Sequence, residues 1–308
     1  MDRGSQPSGK LRPSEEVLAA SENLHRFSPA ELMTLFESED RAIIEAVARA
    51  RGAIQELGEG MAQALREGGR IIYVGAGTSG RLGFLDASEW PPTFGTDPEQ
   101  VVALLAGGES ALRVAVEGAE DRAELAYRAL EEVHLRPPDL VVGLSASGTT
   151  RYVRGALEFA WREGCVRAFI SCHPHPEPLA GGVPSAEILV QLSTGPEVVA
   201  GSTRLKAAAA THMVLQRAST LCALRCGWIY AGRMVEMRPR SEKLRARAVC
   251  IVSDLGAIGD EAAATLLGET EGDIKLAILM ARSGLSLVEA RRRLAAVDRD
   301  LTQLEELS

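Results

Sequence analysis

The chain lacks the long apolar runs that define membrane-spanning proteins. No window of its 308 residues holds the roughly 18 consecutive apolar residues that a membrane span needs. Residues 1–16 also lack the apolar core of a signal peptide. We therefore expect a soluble, cytoplasmic protein with no membrane partner.

Cysteine is scarce, and the spacing of the cysteines does not suggest disulfide pairs. The five cysteines are an odd number and include no C-x-x-C pair, which suits free thiols in a reducing compartment. The run Cys172-His173-Pro174-His175 contains possible metal ligands, but no second ligand cluster accompanies it. We expect no metal and no cofactor.

Positive charge is in deficit as well. The 34 basic residues are outnumbered by 42 acidic ones, which gives a formal net charge of −8. Nucleic acid is therefore not an expected partner. A phosphate ligand would have to be held by local backbone dipoles and a few cations, since the field of the whole protein opposes it.

What the chain does contain is a regular alternation of apolar runs with helical patterns. An alternation of this kind predicts right-handed crossovers and a parallel sheet covered on both faces. The predicted fold is therefore an α/β three-layer αβα sandwich with a five-stranded parallel sheet. Its strands are predicted at residues 71–74, 101–105, 140–144, 166–170 and 188–192.

Composition divides the chain into three parts, predicted at residues 1–27, 28–248 and 249–308. The first part is polar and is expected to be flexible. The second is the α/β domain, which starts where Ser28 can cap a helix and Pro29 can occupy its first position. The third is expected to be a three-helix appendage. Helices are predicted from residue 29, over about 39–65, 109–117, 120–132 and 206–224, and, in the appendage, over about 260–267, 271–282 and 286–306.

Two loops of small residues follow predicted strands. The loop at residues 75–80 is rich in glycine, and the loop at 145–150 is rich in serine and threonine. Glycine lets the backbone approach a ligand closely, and the amides that open the next helix favour an anion. Ligands of parallel sheets bind beyond the carboxyl ends of the strands, so we expect both loops to converge on one phosphate.

Other readings of the first loop fit less well. The spacing G-x-G-x-x-G is also a dinucleotide fingerprint, but Pro91-Pro92 interrupts the crossover that such a unit needs. The Gly-Lys-Ser/Thr of a P-loop and the G-x-S-x-G of α/β-hydrolases are both missing. Ser79 is therefore expected to donate to a phosphate and not to act as a nucleophile.

Two carboxylates and two cations are candidates for chemistry. The prolines after Trp90 should end the first crossover helix and leave Glu89 beside apolar side chains, which would raise its pKa. Glu89 could equally be a surface carboxylate. Glu120 on its own suits ordinary helix-dipole stabilisation. Lys206 and Arg204 could be either phosphate-binding cations or surface charges.

Several longer motifs are familiar. The runs at residues 73–83, 85–89, 91–95, 116–121 and 201–206 closely resemble those of the N-acetylmuramic acid 6-phosphate etherases. These are sugar-isomerase-domain proteins, related to the glucokinase regulatory protein. The likeness covers roughly residues 28–250.

The resemblance implies a lyase, without metal or cofactor, that releases D-lactate from N-acetylmuramic acid 6-phosphate in cell-wall sugar recycling. It places Glu89 and Glu120 on the two catalytic positions, one acting on the departing lactate and the other on the C2 proton. It also implies a homodimer whose partner helps to close each site. The expected substrate-binding residues are Gly77, Thr78, Ser79, Gly80, Ser145, Ser147, Gly148, Thr149, Ser202 and Lys206.

The chain departs from the family pattern in several loops. Ser14–Ser21 lacks a Thr-Glu-x-x-Asn pattern, His173 replaces an Asn, Thr149-Thr150-Arg151 replaces Arg-Thr-Pro, and Ser241 replaces an Asn. The segment 231–236 differs as well. Two alternatives therefore stay open. One is a sugar-phosphate-binding regulator with little catalysis, and the other is an aldose–ketose isomerase on the same fold.

Overall fold

The computed structural model describes residues 13–173, 178–179 and 182–305. Five parallel strands form one sheet in the order β2-β1-β3-β4-β5. Each strand lies within one residue of its predicted bounds, so the predicted five-stranded parallel sheet is confirmed. The strands are β1 (Ile71–Gly75), β2 (Val101–Leu105), β3 (Leu140–Ser145), β4 (Val166–Ser171) and β5 (Ile188–Gln191).

Helices cover both faces of this sheet. Side chains alternate along β1, so that Ile71 and Tyr73 join one hydrophobic core while Ile72 and Val74 join the other. The first core is closed by α1 (Pro29–Arg49), α2 (Arg51–Arg66), α3 (Gly77–Phe94) and α6 (Lys206–Arg225). The second is closed by α4 (Ala123–Glu132) and α5 (Arg151–Arg162).

The N-terminal helices differ from prediction in where they break. Ser28 caps α1 as predicted, since its Oγ accepts from the Glu31 amide at 3.3 Å. The helix then continues through residue 39, where a boundary was expected, and the chain bends at Ala50 before α2. The part of the chain described here contains no helix long and apolar enough to cross a membrane.

The end of the chain forms a separate helical core. A two-stranded ribbon, β6 (Ile229–Tyr230) and β7 (Arg233–Met234), leads into it. The three predicted helices are found, but the last is divided at residues 296–301, and the preceding helix also contributes Ala248, Ile251 and Val252 to this core. The helices between residues 242 and 305 are α7 (Glu242–Gly256), α8 (Asp260–Glu269), α9 (Ile274–Ser283), α10 (Leu287–Ala295) and α11 (Thr302–Glu305).

The prediction that α3 ends at Trp90-Pro91-Pro92 is wrong. The helix continues to Phe94 and ends at Gly95, whose φ of 68° is the left-handed conformation of a helix terminus. The prolines remove two amide donors, but packing outweighs the loss. Trp90 is only 1% exposed and meets Phe94 and Trp228 edge-on, with ring centroids 5.7 and 6.2 Å away.

The helix predicted at residues 109–117 is also wrong. Only a short 3-10 turn forms, at Glu109–Leu112. The Arg81 guanidinium donates to the carbonyls of Ala111 and Leu112 at 2.7 and 3.2 Å, and so takes up acceptors that a longer helix would use. The chain from residue 113 to 118 remains irregular and carries the next turn over the edge of the sheet.

Two glycines of α2 give a paired test of helix packing. A Cβ at Gly58 would lie 2.8 Å from Leu221 Cδ2 and 3.0 Å from the Ala218 carbonyl oxygen, whereas one at Gly52 meets nothing within 4 Å. We expect Gly58→Ala to lower the free energy of unfolding by about 1–3 kcal/mol through overpacking. Gly52→Ala should leave it unchanged or raise it by up to about 1 kcal/mol. Urea denaturation measures both, and equal effects would contradict the packing at Gly58.

Candidate active site

A cavity of about 720 Å³ opens at the carboxyl ends of β1 and β3. Both predicted loops line it, as does Glu120, so the structure brings together seven of the twelve predicted site residues. The seven are Gly77, Thr78, Ser79, Glu120, Ser145, Ser147 and Thr149.

The β1 loop depends on a close approach between two glycines. A Cβ at Gly75 would lie 2.6 Å from the Gly80 Cα, and a Cβ at Gly80 would lie 2.3 Å from Leu105 Cδ1. Only glycine therefore allows α3 to begin directly at the end of β1. Gly80 serves this packing and does not line the cavity.

The N-terminus of α3 is open to an anion. Its N-cap residue, Ala76, has no side-chain oxygen, and no side chain caps the first turn. The residues of this turn, Gly77, Thr78 and Ser79, line the cavity. Uncapped amides at a helix N-terminus, together with the helix dipole, favour a negatively charged ligand.

The β3 loop is a network of hydroxyl groups. Ser145 Oγ lies 2.8 Å from Thr150 Oγ1, and Ser147 Oγ lies 3.2 Å from Thr149 Oγ1. The Gly148 amide donates to Ser145 Oγ at 3.2 Å. No side chain caps the following helix, α5. Its first residue, Arg151, lines the cavity, so a second uncapped helix N-terminus borders the same space.

Gly148 itself serves packing. Its φ is 73°, which favours glycine, and a Cβ there would lie 2.9 Å from Ser171 Oγ and 3.0 Å from His173 Cβ. Gly148 does not line the cavity. It lets the loop turn while β4 packs beneath it.

Glu120 lies on a 3-10 turn, Ala119–Asp121, and not in α4, which begins at Ala123. The Ala119 side chain is buried against the sheet, whereas Glu120 and Asp121 are exposed and line the cavity. The local sequence resembles the start of a helix. This short turn instead holds the Glu120 carboxylate at the opening of the cavity.

Glu89 lies elsewhere. It is twelve residues beyond Gly77 on α3, which places it about 18 Å further along the helix at 1.5 Å per residue. Its side chain is exposed and does not line the cavity. Because Trp90 turns into the core, the apolar surroundings expected around Glu89 are not supplied by this copy of the chain.

The two predicted residues near α6 are also outside the cavity. Lys206 is only 4% exposed, and its Nζ pairs with Glu39. Its backbone amide donates to Glu197 at 2.9 Å, so a protein carboxylate already occupies the N-terminus of α6. Ser202 does not line the cavity, although its neighbours Gly201 and Thr203 do.

Several residues of the cavity were not anticipated. Ser14 and Glu15 arrive from the N-terminal segment, where the Ser14 carbonyl accepts from the Gly201 amide at 2.7 Å. No local pattern signals a contact that spans so much of the chain. Arg151 ends the segment Thr149-Thr150-Arg151, which departs from the family pattern, and a cation directly after a phosphate-type loop is a natural anion ligand. Ten residues outside the predicted site set also line the cavity, and three of them, Ala76, Ala146 and Thr150, belong to the two loops expected to form it. The ten are Ser14, Glu15, Ala76, Asp121, Leu144, Ala146, Thr150, Arg151, Gly201 and Thr203.

A buried carboxylate anchors α3 behind the cavity. Asp86 Oδ2 accepts from the Tyr73 hydroxyl at 2.8 Å and from Trp90 Nε1 at 2.9 Å, and Oδ1 accepts from the Ser219 hydroxyl at 3.4 Å. Burial raises the pKa of Asp86, and these hydrogen bonds only partly offset it. The carboxylate thereby links α3 to β1 and to α6, one helical turn before Glu89.

The fold and this cavity define a sugar-isomerase-domain protein. A sequence model described as "Glucokinase regulatory protein N-terminal SIS domain" matches residues 53–161. An N-acetylmuramic acid 6-phosphate etherase of Synechococcus elongatus is 46% identical over 90% of this chain and 89% of its own. That of Salmonella typhi is 45% identical over 89% of this chain and 91% of its own. The chain belongs to the N-acetylmuramic acid 6-phosphate etherase family.

Solved structures give a looser match. A phosphoheptose isomerase from Francisella tularensis superposes with a TM-score of 0.45 and 18% identity, covering 65% of this chain and 98% of that one.

Replacing Asp86 with Asn should alter the pH dependence of stability. The pKa of Asp86 is raised in the folded state, so that state holds the proton to a higher pH than the unfolded state. This contribution to stability is therefore lost as pH rises from about 4 through the raised pKa. Denaturation over a pH series should show the wild-type protein losing stability relative to Asp86→Asn across that window. A difference that is flat, or that rises with pH, would contradict the assignment.

Proposed function

We propose that the protein cleaves the D-lactyl ether of N-acetylmuramic acid 6-phosphate and releases N-acetylglucosamine 6-phosphate and D-lactate. One observation carries the proposal. A carboxylate, Glu120, lines a cavity bordered by two helix N-termini without side-chain caps, in a chain 46% identical to a named etherase over nine-tenths of its length. The reaction belongs to amino-sugar recycling, and we place it in the cytoplasm, where charged sugar phosphates are retained.

The phosphate is proposed to bind between the N-termini of α3 and α5. Both lack a side-chain cap, and the hydroxyls of Thr78, Ser79, Ser145, Ser147 and Thr149 surround the space between them. Binding energy from this remote group can hold the reacting carbons in place, because the phosphate itself takes no part in the chemistry.

The chemistry is an elimination followed by an addition. Glu120 is proposed to take the C2 proton of the open-chain sugar, which its C1 aldehyde acidifies. The electron pair forms the C2–C3 double bond as the C3–O bond to lactate breaks, and Glu89 supplies the proton that lactate needs to leave. Water then adds to C3, and C2 is reprotonated. Each positioned acid or base is worth about 10²–10⁴-fold in rate.

Glu89 can take this part only from a second copy of the chain. It lies about 18 Å from the phosphate end of its own cavity, further than the substrate and a glutamate side chain reach. Leu85, one turn earlier on the same face of α3, is 45% exposed, and the adjacent Phe84 is 40% exposed. We therefore propose a homodimer in which this apolar face is covered and Glu89 enters the partner's cavity.

A second candidate is a regulator that binds a sugar phosphate without turning it over. The match of residues 53–161 to the glucokinase regulatory protein domain favours it. It uses the same cavity and predicts ligand-induced stabilisation without release of lactate. An isomerase on this fold would also release no lactate.

Incubation with N-acetylmuramic acid 6-phosphate should release lactate, and in deuterated water the product should carry deuterium at C2. Glu120→Gln should lower kcat by about 10²–10⁴-fold, since the base is lost while the phosphate contacts remain. Asp121→Asn, a matched change in the neighbouring carboxylate of the cavity, should have a small effect. Intact substrate with the wild-type protein would overturn the proposed function, and full turnover by Glu120→Gln would remove Glu120 from the role of base.

The proposed dimer face gives a separate prediction. Leu85→Glu should shift the mass measured by light scattering from dimer to monomer and reduce lactate release, because a charge cannot be buried against a second copy. Val288→Glu is the matched control, since Val288 is 78% exposed on α10. If Leu85→Glu stays dimeric, this face of α3 is not the interface.

A further inference from the structure

Arg151 is distinguished by the charges around it. It is the first residue of α5 and lines the cavity together with three carboxylates, those of Glu15, Glu120 and Asp121. Among the described residues that line the cavity, it is the one that carries a positive charge. A phosphate dianion entering this space is therefore repelled by three groups and attracted by one side chain.

The position of Arg151 is unfavourable with respect to the dipole of α5. The N-terminus of a helix carries partial positive charge, so a cation in its first turn is destabilising. Within the described part of the chain, no hydrogen bond or ion pair within 4.0 Å joins the Arg151 side chain to another group, and it is exposed. An anion bound at this N-terminus would offset the unfavourable interaction with the helix dipole.

Neighbouring cations are already committed to other contacts. Lys206 Nζ pairs with Glu39. Arg81, in the first turns of α3, donates to the carbonyls of Ala111 and Leu112. Arg154, one turn further along α5, donates to the Pro178 carbonyl at 2.7 Å. Arg204, the other cation considered from the sequence, is exposed and does not line the cavity. Among the described residues, Arg151 is therefore the cation placed to meet a ligand there.

We propose that Arg151 binds the phosphate of the sugar ligand and thereby sets the preference of this cavity for phosphorylated over neutral sugars. The inference rests on the proposed function for the identity of the sugar. It follows from the position of Arg151 directly after Thr150, whose hydroxyl contacts Ser145 within the hydroxyl network. A guanidinium there adds two parallel donors to the amides of the two helix N-termini.

The test measures binding of the reaction product, N-acetylglucosamine 6-phosphate, by calorimetry. Arg151→Ala should weaken its affinity by about 10- to 100-fold, the loss expected for hydrogen bonds to a charged group. Arg151→Lys should retain part of the affinity, since lysine keeps the positive charge but lacks the two parallel donors of a guanidinium. Arg113→Ala, an exposed arginine that does not line the cavity, is the matched control and should bind as the wild-type protein does.

A rescue variant separates a binding role from a structural one. Position 149 lines the same cavity two residues earlier, so Thr149→Arg added to Arg151→Ala exchanges one proposed phosphate-binding hydroxyl for a guanidinium. Because a charged donor binds a phosphate more strongly than a hydroxyl, part of the lost affinity should return. Affinity of Arg151→Ala equal to that of the wild-type protein would overturn the inference, as would a loss that Thr149→Arg and Arg151→Lys both fail to relieve. The experiment measures binding and not turnover. If Arg151→Ala weakens binding but the wild-type protein releases no lactate, only the proposed function is overturned. Lactate release with unchanged affinity in Arg151→Ala would overturn only this inference.

Discussion

The proposed site depends on the pairing of β1 with β3 as parallel neighbours. Gly75 at the end of β1 lies beside Leu144 near the end of β3, so the two strands deliver their loops to the same point. Each loop leads into a helix whose first amides have no side-chain cap. Two helix N-termini thus face one cavity in a protein of net charge −8, and the local field, not the global one, is what would attract a phosphate.

Much of this framework follows from the sequence, because its signals are local. Mostly apolar runs of four or five residues predict all five strands, and the two small-residue loops are expected to meet because parallel strands end at one edge. The prediction that α3 ends at Pro91 and Pro92 was wrong for a physical reason. Local proline chemistry argues against a helix, but the burial of Trp90 between Phe94 and Trp228 outweighs it.

The remaining features depend on contacts between distant parts of the chain, which spacing does not report. Lys206 follows a polar loop as a phosphate-binding cation would, yet Glu39 from α1 pairs with it. Glu15 lines the cavity because the N-terminal segment lies against Gly201. Glu89 and Glu120 resemble a matched pair in sequence, but about 18 Å of α3 separates Glu89 from the cavity. Because of that distance, the proposed catalytic role of Glu89 requires a second copy of the chain.

Each complete site is proposed to take Glu120 from one copy of the chain and Glu89 from the other. The direct measurement is to mix Glu89→Gln with Glu120→Gln, each inactive alone, and to assay lactate after subunit exchange. Half of the random dimers are then mixed, and each mixed dimer has one intact site of two. We expect recovery of about one quarter of the wild-type rate. A mixture no more active than the two variants assayed separately would contradict it.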